Sequence, residues 1–233
     1  MIANALRVDI ERYAASVRQK NALFTKAADG SLKREMVAGY LENLRYLISH
    51  TATHFARGRD IARARGDEAL ALHCDARRLE EVGHDRWAEN DLADIAPSLP
   101  APPSKEITPS MRALVDHLAE RIEEDPQLYL AHCLFAEYLT VIIGPDFVRL
   151  LDEKCGVAKT SMTVIDKHVD LDRAHVEHAL DEIDELVTDP RKIGPMRETA
   201  RASMAFFEAF CAEVTEEARY ERARVPAQQA SAA

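Results

Sequence analysis

The stretch His168-Val-Asp-Leu-Asp172-Arg-Ala-His175 decides the interpretation of this chain, because it lies in a segment of helical spacing, about 162–187, that contains neither glycine nor proline. Each residue of an α-helix turns by about 100°, so positions i, i+4 and i+7 lie on one face. His168, Asp172 and His175 therefore form a stripe of imidazole, carboxylate and imidazole, flanked by valine and leucine. If the stripe faces inward, these polar groups need a partner, and a divalent iron, manganese or zinc ion suits them. The alternative is a polar helix face with two exposed histidines.

The composition is that of an acidic globular protein. The 233 residues are 47 % apolar and 30 % charged, with 8 glycines and 10 prolines, which favours long helices in a single domain over residues 1–225 and a disordered tail at 226–233. A net charge of −10 argues against nucleic acid or a membrane surface as a partner. Four scattered cysteines, no signal peptide and no uninterrupted apolar run of about 20 residues predict a cytoplasmic protein.

Apolar periodicity and capping residues predict an all-α protein with seven helices. The predicted helices cover about 3–19, 31–65, 67–95, 110–124, 126–155 with a kink or break at Gly144-Pro145, 162–187, and a seventh that begins at 190. A short piece over 21–29 is either irregular or helical. The proline-rich stretch 97–109 is interpreted as a long crossover within one bundle, although a domain boundary there is the alternative.

Further carboxylates and a histidine lie on two other predicted helices. Glu137 is a charged residue on the most apolar helix, where it needs either a metal ion or a buried arginine as its partner. Glu81 and His84 are three residues apart and share one helix face, and Glu80 is an alternative to Glu81. Together with the first stripe they make three carboxylates and three imidazoles, a set that suits two iron or manganese ions.

The order Glu-x2-His, a glutamate about fifty residues later, and then His-x3-Asp-x2-His resembles that of the heme-oxygenase-like diiron oxidases, also described as iron-containing redox enzymes. This superfamily includes 1-alkene-forming medium-chain fatty-acid decarboxylases, with the thiaminases and pyrroloquinoline-quinone oxidases as more distant relatives. Residues 21–46, with the sequence Gly-Ser-Leu-Lys-Arg-Glu before a long helix, share the resemblance. It implies a seven-helix heme-oxygenase-like bundle.

The resemblance also implies the chemistry. It implies two Fe²⁺ ions, the second often loosely held, with O2 as co-substrate and a small carboxylate-bearing substrate that is decarboxylated, cleaved or N-oxygenated. An external electron donor and a homodimer are further expectations. The implied metal ligands are Glu81, His84, Glu137 as the bridging residue, His168, Asp172 and His175.

Four other side chains are candidates for substrate binding. In this fold the second predicted helix lines the pocket, which makes His50 and His54 candidates, with a buried core pair as the alternative. Tyr40 and Tyr138 are candidates for the pocket wall, although aromatic residues on apolar faces usually belong to the core. A plain surface or core role is expected for the other histidines, which are His73, His117, His132 and His178.

Three other functions compete with diiron oxidation. A ferritin-like protein would use acid-x2-His on two helices, but it leaves His168 without a role. Haem degradation needs a proximal histidine near the N-terminus, whereas the first histidine is His50. A non-catalytic interaction protein with the same fold is the third alternative.

Overall fold

The computed structural model describes residues 2–224, apart from the side chains of residues 174, 175, 177 and 222–224. Within this part of the chain there are ten α-helices and no strand, which confirms the predicted all-α class. The helices are α1 (Ile2–Lys20), α2 (Ala22–Asp29), α3 (Arg34–Ala64), α4 (Glu68–Glu81), α5 (Asp85–Ile95), α6 (Pro109–Glu124), α7 (Tyr129–Cys155), α8 (Thr163–Leu186), α9 (Ile193–Val214) and α10 (Glu217–Arg224). The predicted tail at 226–233 lies outside the described residues.

The helix count differs from the seven predicted for three local reasons. The piece over 22–29 is a helix of its own, because the Asn21 side chain caps its first amides and Gly30, at φ 78°, ends it. The predicted helix 67–95 is two helices, since the chain turns between them with Gly83 at φ 90°, a left-handed conformation that favours glycine. The last predicted helix ends at Val214, and α10 is separate.

Helix α7 is at the centre of the bundle. It continues through Gly144 and Pro145, where the sequence predicts a kink or break. A Cβ atom on Gly144 would lie 2.8 Å from Cγ2 of Val169 and 3.0 Å from Cγ2 of Ile165. The missing side chain therefore allows α7 and α8 to approach closely beside His168, which lies between those two residues on α8.

The hydrophobic core includes buried side chains from every one of the ten described helices. Within the described residues, Pro126–Cys155 is long and apolar enough to span a membrane, and 56 % of its most apolar 18-residue window is buried inside the protein. The proline-rich crossover is attached to the core at its end, where the backbone amide of Thr108 donates a 2.9 Å hydrogen bond to Oδ1 of the fully buried Asn43.

Candidate metal centre

Three of the predicted ligands converge on one point. Glu81 is the last residue of α4, His84 lies in the turn before α5, and His168 lies on α8. One potential ligand atom from each side chain lies within 4.8 Å of the other two. All three side chains are half-buried. The break between α4 and α5 therefore positions His84, whereas the periodicity of α8 positions His168.

Aromatic packing and an unsatisfied nitrogen define the position of His84. Its ring stacks on Trp87 at 4.0 Å and lies edge-on to His168 at 5.2 Å between centroids. Among the described residues, its buried Nδ1 atom has no hydrogen-bond partner, and Oε2 of Glu81 is 3.4 Å away. A buried ring nitrogen that lacks a partner beside a carboxylate is the arrangement expected of a metal ligand.

The orientation of His168 is set by its own helix. Its Nδ1 atom is 2.5 Å from the carbonyl oxygen of Val164, one turn earlier. Because a carbonyl oxygen can only accept a hydrogen bond, Nδ1 carries the proton and the Nε2 atom of the neutral ring has a lone pair. In metal-binding histidines, the N–H group of the ring nitrogen that does not bind the metal commonly donates a hydrogen bond to a backbone carbonyl in this way.

Glu137 is held by an arginine. Its Oε1 atom accepts a hydrogen bond from Nη2 of Arg77 on α4, and both side chains are only 12 % exposed. The same Nη2 atom is 3.8 Å from Oε1 of Glu81. Glu137 therefore has the buried arginine partner that the sequence left open as an alternative, and it also lies beside the cluster.

Asp172 and Glu137 are carboxylates in a poorly hydrated environment. Burial, together with a smaller effect of the neighbouring Glu81, raises the pKa of the Asp172 carboxyl to about 7. Burial likewise raises the pKa of Glu137 to about 8, although Arg77 acts in the opposite direction. In both cases loss of hydration, which disfavours the charged form of a carboxyl, is the largest cause of the shift. The sixth predicted ligand, His175, has a side chain outside the described residues.

The described residues fit a divalent metal ion in donor type and in spacing. Two imidazoles and a carboxylate suit iron, manganese or zinc. Such ligands lie about 2.0–2.2 Å from a zinc ion, so two ligands on one ion are separated by at most about 4 Å. The observed limit of 4.8 Å therefore requires only a small side-chain movement. Glu80 is not one of the three residues that converge, and its side chain is 49 % exposed and bound to Arg77.

A mostly apolar cavity of about 160 Å³ borders this cluster. The ligand side of its wall is formed by Glu81, Glu137, His168 and Asp172. Much of the remaining wall is leucine, isoleucine and phenylalanine from α2, α3, α7, α8 and α9, including Phe24, Leu47, Ile143, Phe147, Ile165 and Phe207. Among the described residues of the wall there is no lysine or arginine. The cavity can therefore hold an apolar group next to the candidate ligands.

The predicted substrate-binding residues are in different places. Tyr40 lines the cavity and stacks on Phe210. His54 is buried beside Tyr129, which lines the cavity, but His54 itself is outside the described wall. His50 lies one turn earlier on α3, also outside that wall. The hydroxyl group of Tyr138 donates to Oε1 of Glu11 at 2.8 Å, away from the cavity.

Sequence reasoning missed His132 and Arg77. His132 lines the cavity, and its Nδ1 atom is 3.0 Å from Oγ of Ser203, whose hydroxyl donates its hydrogen to the carbonyl oxygen of Thr199 and accepts from His132. Its position on the most apolar helix was the available signal. Arg77 lies one turn before Glu81 on α4, and that i to i+4 spacing was a local indication that it is near the cluster.

Comparison with known proteins adds information on the fold. The chain matches no protein-family profile and no curated protein sequence. A solved domain of unknown function with a heme oxygenase-like fold, from Shewanella denitrificans OS217, is 17 % identical, with a TM-score of 0.81 over 96 % of this chain and 97 % of that one. A CADD-like protein of unknown function from Nostoc punctiforme PCC 73102 is 13 % identical, with a TM-score of 0.68 over 91 % and 96 % of the two chains.

An enzyme is also among the similar structures. Heme oxygenase-2 from Synechocystis sp. PCC 6803, solved in complex with heme and NO, is 18 % identical, with a TM-score of 0.68 over 95 % of this chain and 91 % of that one. These structural similarities establish the architecture. Because the sequence identities are low, the chemistry has to be argued from the site. This chain therefore has the all-α heme-oxygenase-like fold, as its sequence predicted.

Proposed function

We propose that this protein is a non-haem diiron oxygenase or oxidase that uses O2 to oxidise a small carboxylate-bearing substrate. The observation that carries the proposal is the convergence of Glu81, His84 and His168 within 4.8 Å, beside a cavity that Glu137 and Asp172 also line. Bound ferrous iron would supply the electrons that activate O2.

Each described residue has a definite part in this proposal. Glu81, His84 and His168 would hold one ion, and Glu137 and Asp172 are the carboxylates available to a second. The hydrogen bond from His168 Nδ1 to the carbonyl oxygen of Val164 fixes the ring orientation and makes Nε2 the ring nitrogen that would bind the metal. The apolar wall offers few partners to water, and poor hydration would strengthen electrostatic interactions at the ligand side of the cavity.

The cavity indicates what kind of substrate to test. Its wall favours an apolar group such as a medium-length acyl chain. A substrate carboxylate would meet no basic side chain of the described wall. Only a cation held by the ligand residues would neutralise it there, so we expect the carboxylate end of the substrate to bind at the ligand side.

The test is anaerobic loading with Fe²⁺, followed by iron analysis, Mössbauer spectroscopy and O2 consumption with medium-chain fatty acids and amino acids. We expect iron binding to saturate at no more than two ions per chain and at least one acid to stimulate O2 uptake. Glu81→Gln should weaken the tighter ion by about 100-fold or more, because loss of even an outer-shell partner costs about 10–100-fold. The matched control is Glu80→Gln, whose exposed carboxylate is outside the cluster, and it should retain the ion.

Specific outcomes would contradict the proposal. Binding of many iron ions per chain would indicate storage, and a Soret band after hemin titration would indicate haem binding. Iron binding without O2 uptake with any tested acid would favour a non-catalytic protein of the same fold. Equal affinity in Glu80→Gln and Glu81→Gln would remove Glu81 from the ligand set.

A further inference from the structure

The carboxylates of the candidate metal centre already have one internal cation. The guanidinium group of Arg77 donates to Glu137 through Nη2 and to Oε2 of Glu80 through Nη1 at 2.7 Å. Its Nη2 atom also lies 3.8 Å from Oε1 of Glu81. The Arg77 side chain is only 12 % exposed. Arg77 therefore lies between Glu81 and Glu137, two candidate ligands whose carboxylates would also attract a metal ion.

The two potential metal positions are unequal for this reason. Glu81, His84 and His168 form a three-ligand group that an ion can enter without displacing Arg77 from Glu137. A second ion that uses Glu137 as a ligand must first take its carboxylate from Arg77. Breaking a buried ion pair is costly unless both groups find new partners.

Charge balance points in the same direction. When the carboxyl groups of Glu81, Glu137 and Asp172 are all ionised, they carry three negative charges. One divalent ion together with Arg77 neutralises these three charges. A second divalent ion would leave an excess of two positive charges in a poorly hydrated site, and Arg77 itself would repel it.

The structure also contains space for Arg77 to move. A second cavity of about 420 Å³ has Arg77 and Glu137 in its wall, on the side that also includes Glu80, His73 and Glu182. The carboxylate of Glu182 is 45 % exposed and 3.6 Å from Nδ1 of His73. A guanidinium group that leaves Glu137 would find carboxylates and water in this cavity.

We infer that Arg77 controls occupancy of the second metal position by holding Glu137 away from it. Arg77 is thus a positioning residue that acts through Glu137 and makes the centre bind one ion tightly and a second weakly. This inference rests on the proposed function, because it needs the cluster of Glu81, His84 and His168 to bind an ion.

The experiment is a titration with Mn²⁺ under anaerobic conditions, followed by equilibrium dialysis and electron paramagnetic resonance of the full chain. The wild type should bind one ion tightly and give the spectrum of an isolated Mn²⁺ ion. Arg77→Met removes the charge and keeps an unbranched side chain, so its second ion should bind at least about tenfold more tightly, with the spectrum of a magnetically coupled pair. Arg77→Lys keeps the charge and should retain the wild-type stoichiometry.

A control and a second variant keep the inference falsifiable. Arg78→Met changes the neighbouring arginine, which pairs with Asp75 at 3.2 Å, and should behave as the wild type does. If Arg77→Met does not fold, Arg77→Gln provides the same comparison with a polar neutral side chain. Two ions bound with equal affinity in the wild type and the neutral variants would overturn the role of Arg77. His168→Ala removes a candidate ligand and should not bind the ion. If the wild type and every Arg77 variant also bind no ion, the proposed function is overturned.

Discussion

At the scale of single residues, burial fixes the charge state of two histidines near the cavity. Burial lowers the pKa of His54 to about 4 and, more strongly, that of His132 to about 3. Both are neutral at pH 7 in the folded protein. A neutral His132 can donate from Nδ1 to Ser203 without placing a positive charge in the cavity wall, where it would repel a bound metal ion.

The lowered pKa of His132 predicts a specific loss of stability in acid. The His132 imidazole binds a proton below about pH 6.5 in the unfolded chain but only near pH 3 in the folded chain. Its contribution to the free energy of unfolding is therefore fully present above pH 6.5 and is lost as the pH falls. Between pH 7.5 and 5.5 this linkage amounts to about 1.4 kcal/mol. We therefore expect the free energy of unfolding of the wild type to fall by about 1.4 kcal/mol more than that of His132→Asn over this interval.

The measurement is urea unfolding of the metal-free protein at both pH values. The comparison between variants is needed because Glu137 and Asp172, whose pKa values are raised, produce the opposite trend in both proteins. His178→Asn changes an exposed histidine and should follow the wild type. Parallel losses in the wild type and His132→Asn would show that the buried imidazole is not responsible.

At the scale of elements, the break between α4 and α5 positions two residues of the three-ligand cluster. Glu81 ends α4 and His84 precedes α5, so the turn at Gly83 sets the distance between them. No described atom lies within 4 Å of a Cβ built on Gly83. Any effect of adding a methyl group there would therefore come from the backbone at φ 90°, where a side chain is strained.

Gly83→Ala and Gly66→Ala form a matched pair that tests this turn. Gly66 has φ 78° and an equally open surrounding, but it lies in the α3–α4 turn, away from the ligands. Each substitution should destabilise the protein by about 1–2 kcal/mol, the usual cost of a left-handed conformation. Only Gly83→Ala should also weaken Mn²⁺ binding, measured by equilibrium dialysis. Equal Mn²⁺ affinity in both variants would show that the turn does not set the ligand geometry.

At the scale of the whole molecule, the candidate metal centre joins segments that are distant in sequence. Its ligands come from the end of α4, from the turn before α5 and from α8, and α7 supplies Glu137. A ligand that binds only the folded state stabilises it by mass action, by about 2.7 kcal/mol at a hundredfold excess over Kd. A bound ion would therefore act as a cross-link across the bundle.

Thermal unfolding should show this linkage. For a chain of 150–250 residues, 1 kcal/mol corresponds to about 2–4 °C, so Mn²⁺ at a hundredfold excess over Kd should raise the Tm by about 5–11 °C. His168→Ala should show no comparable rise, whereas His178→Ala, a change to an exposed histidine on the same helix, should retain it. A rise of the same size in His168→Ala would mean that Mn²⁺ stabilises the protein at some other position.

The sequence by itself determined what depends on local periodicity. The all-α class follows from apolar spacing, and the common face of His168 and Asp172 follows from the 3.6-residue repeat of one helix. The same periodicity predicted one helix over 67–95. That prediction was wrong, because Gly83 has a left-handed conformation and the chain forms two helices there.

Only the tertiary structure decided which charged groups meet. The contact between Arg77 and Glu137 joins residues sixty positions apart, and it depends on where the bundle places α4 and α7, the helices that carry them. The cavity and the approach of His84 to His168 likewise depend on several helices at once. Helix spacing specifies the face on which a side chain lies, whereas its partner is specified by packing between helices, which a single sequence does not express locally.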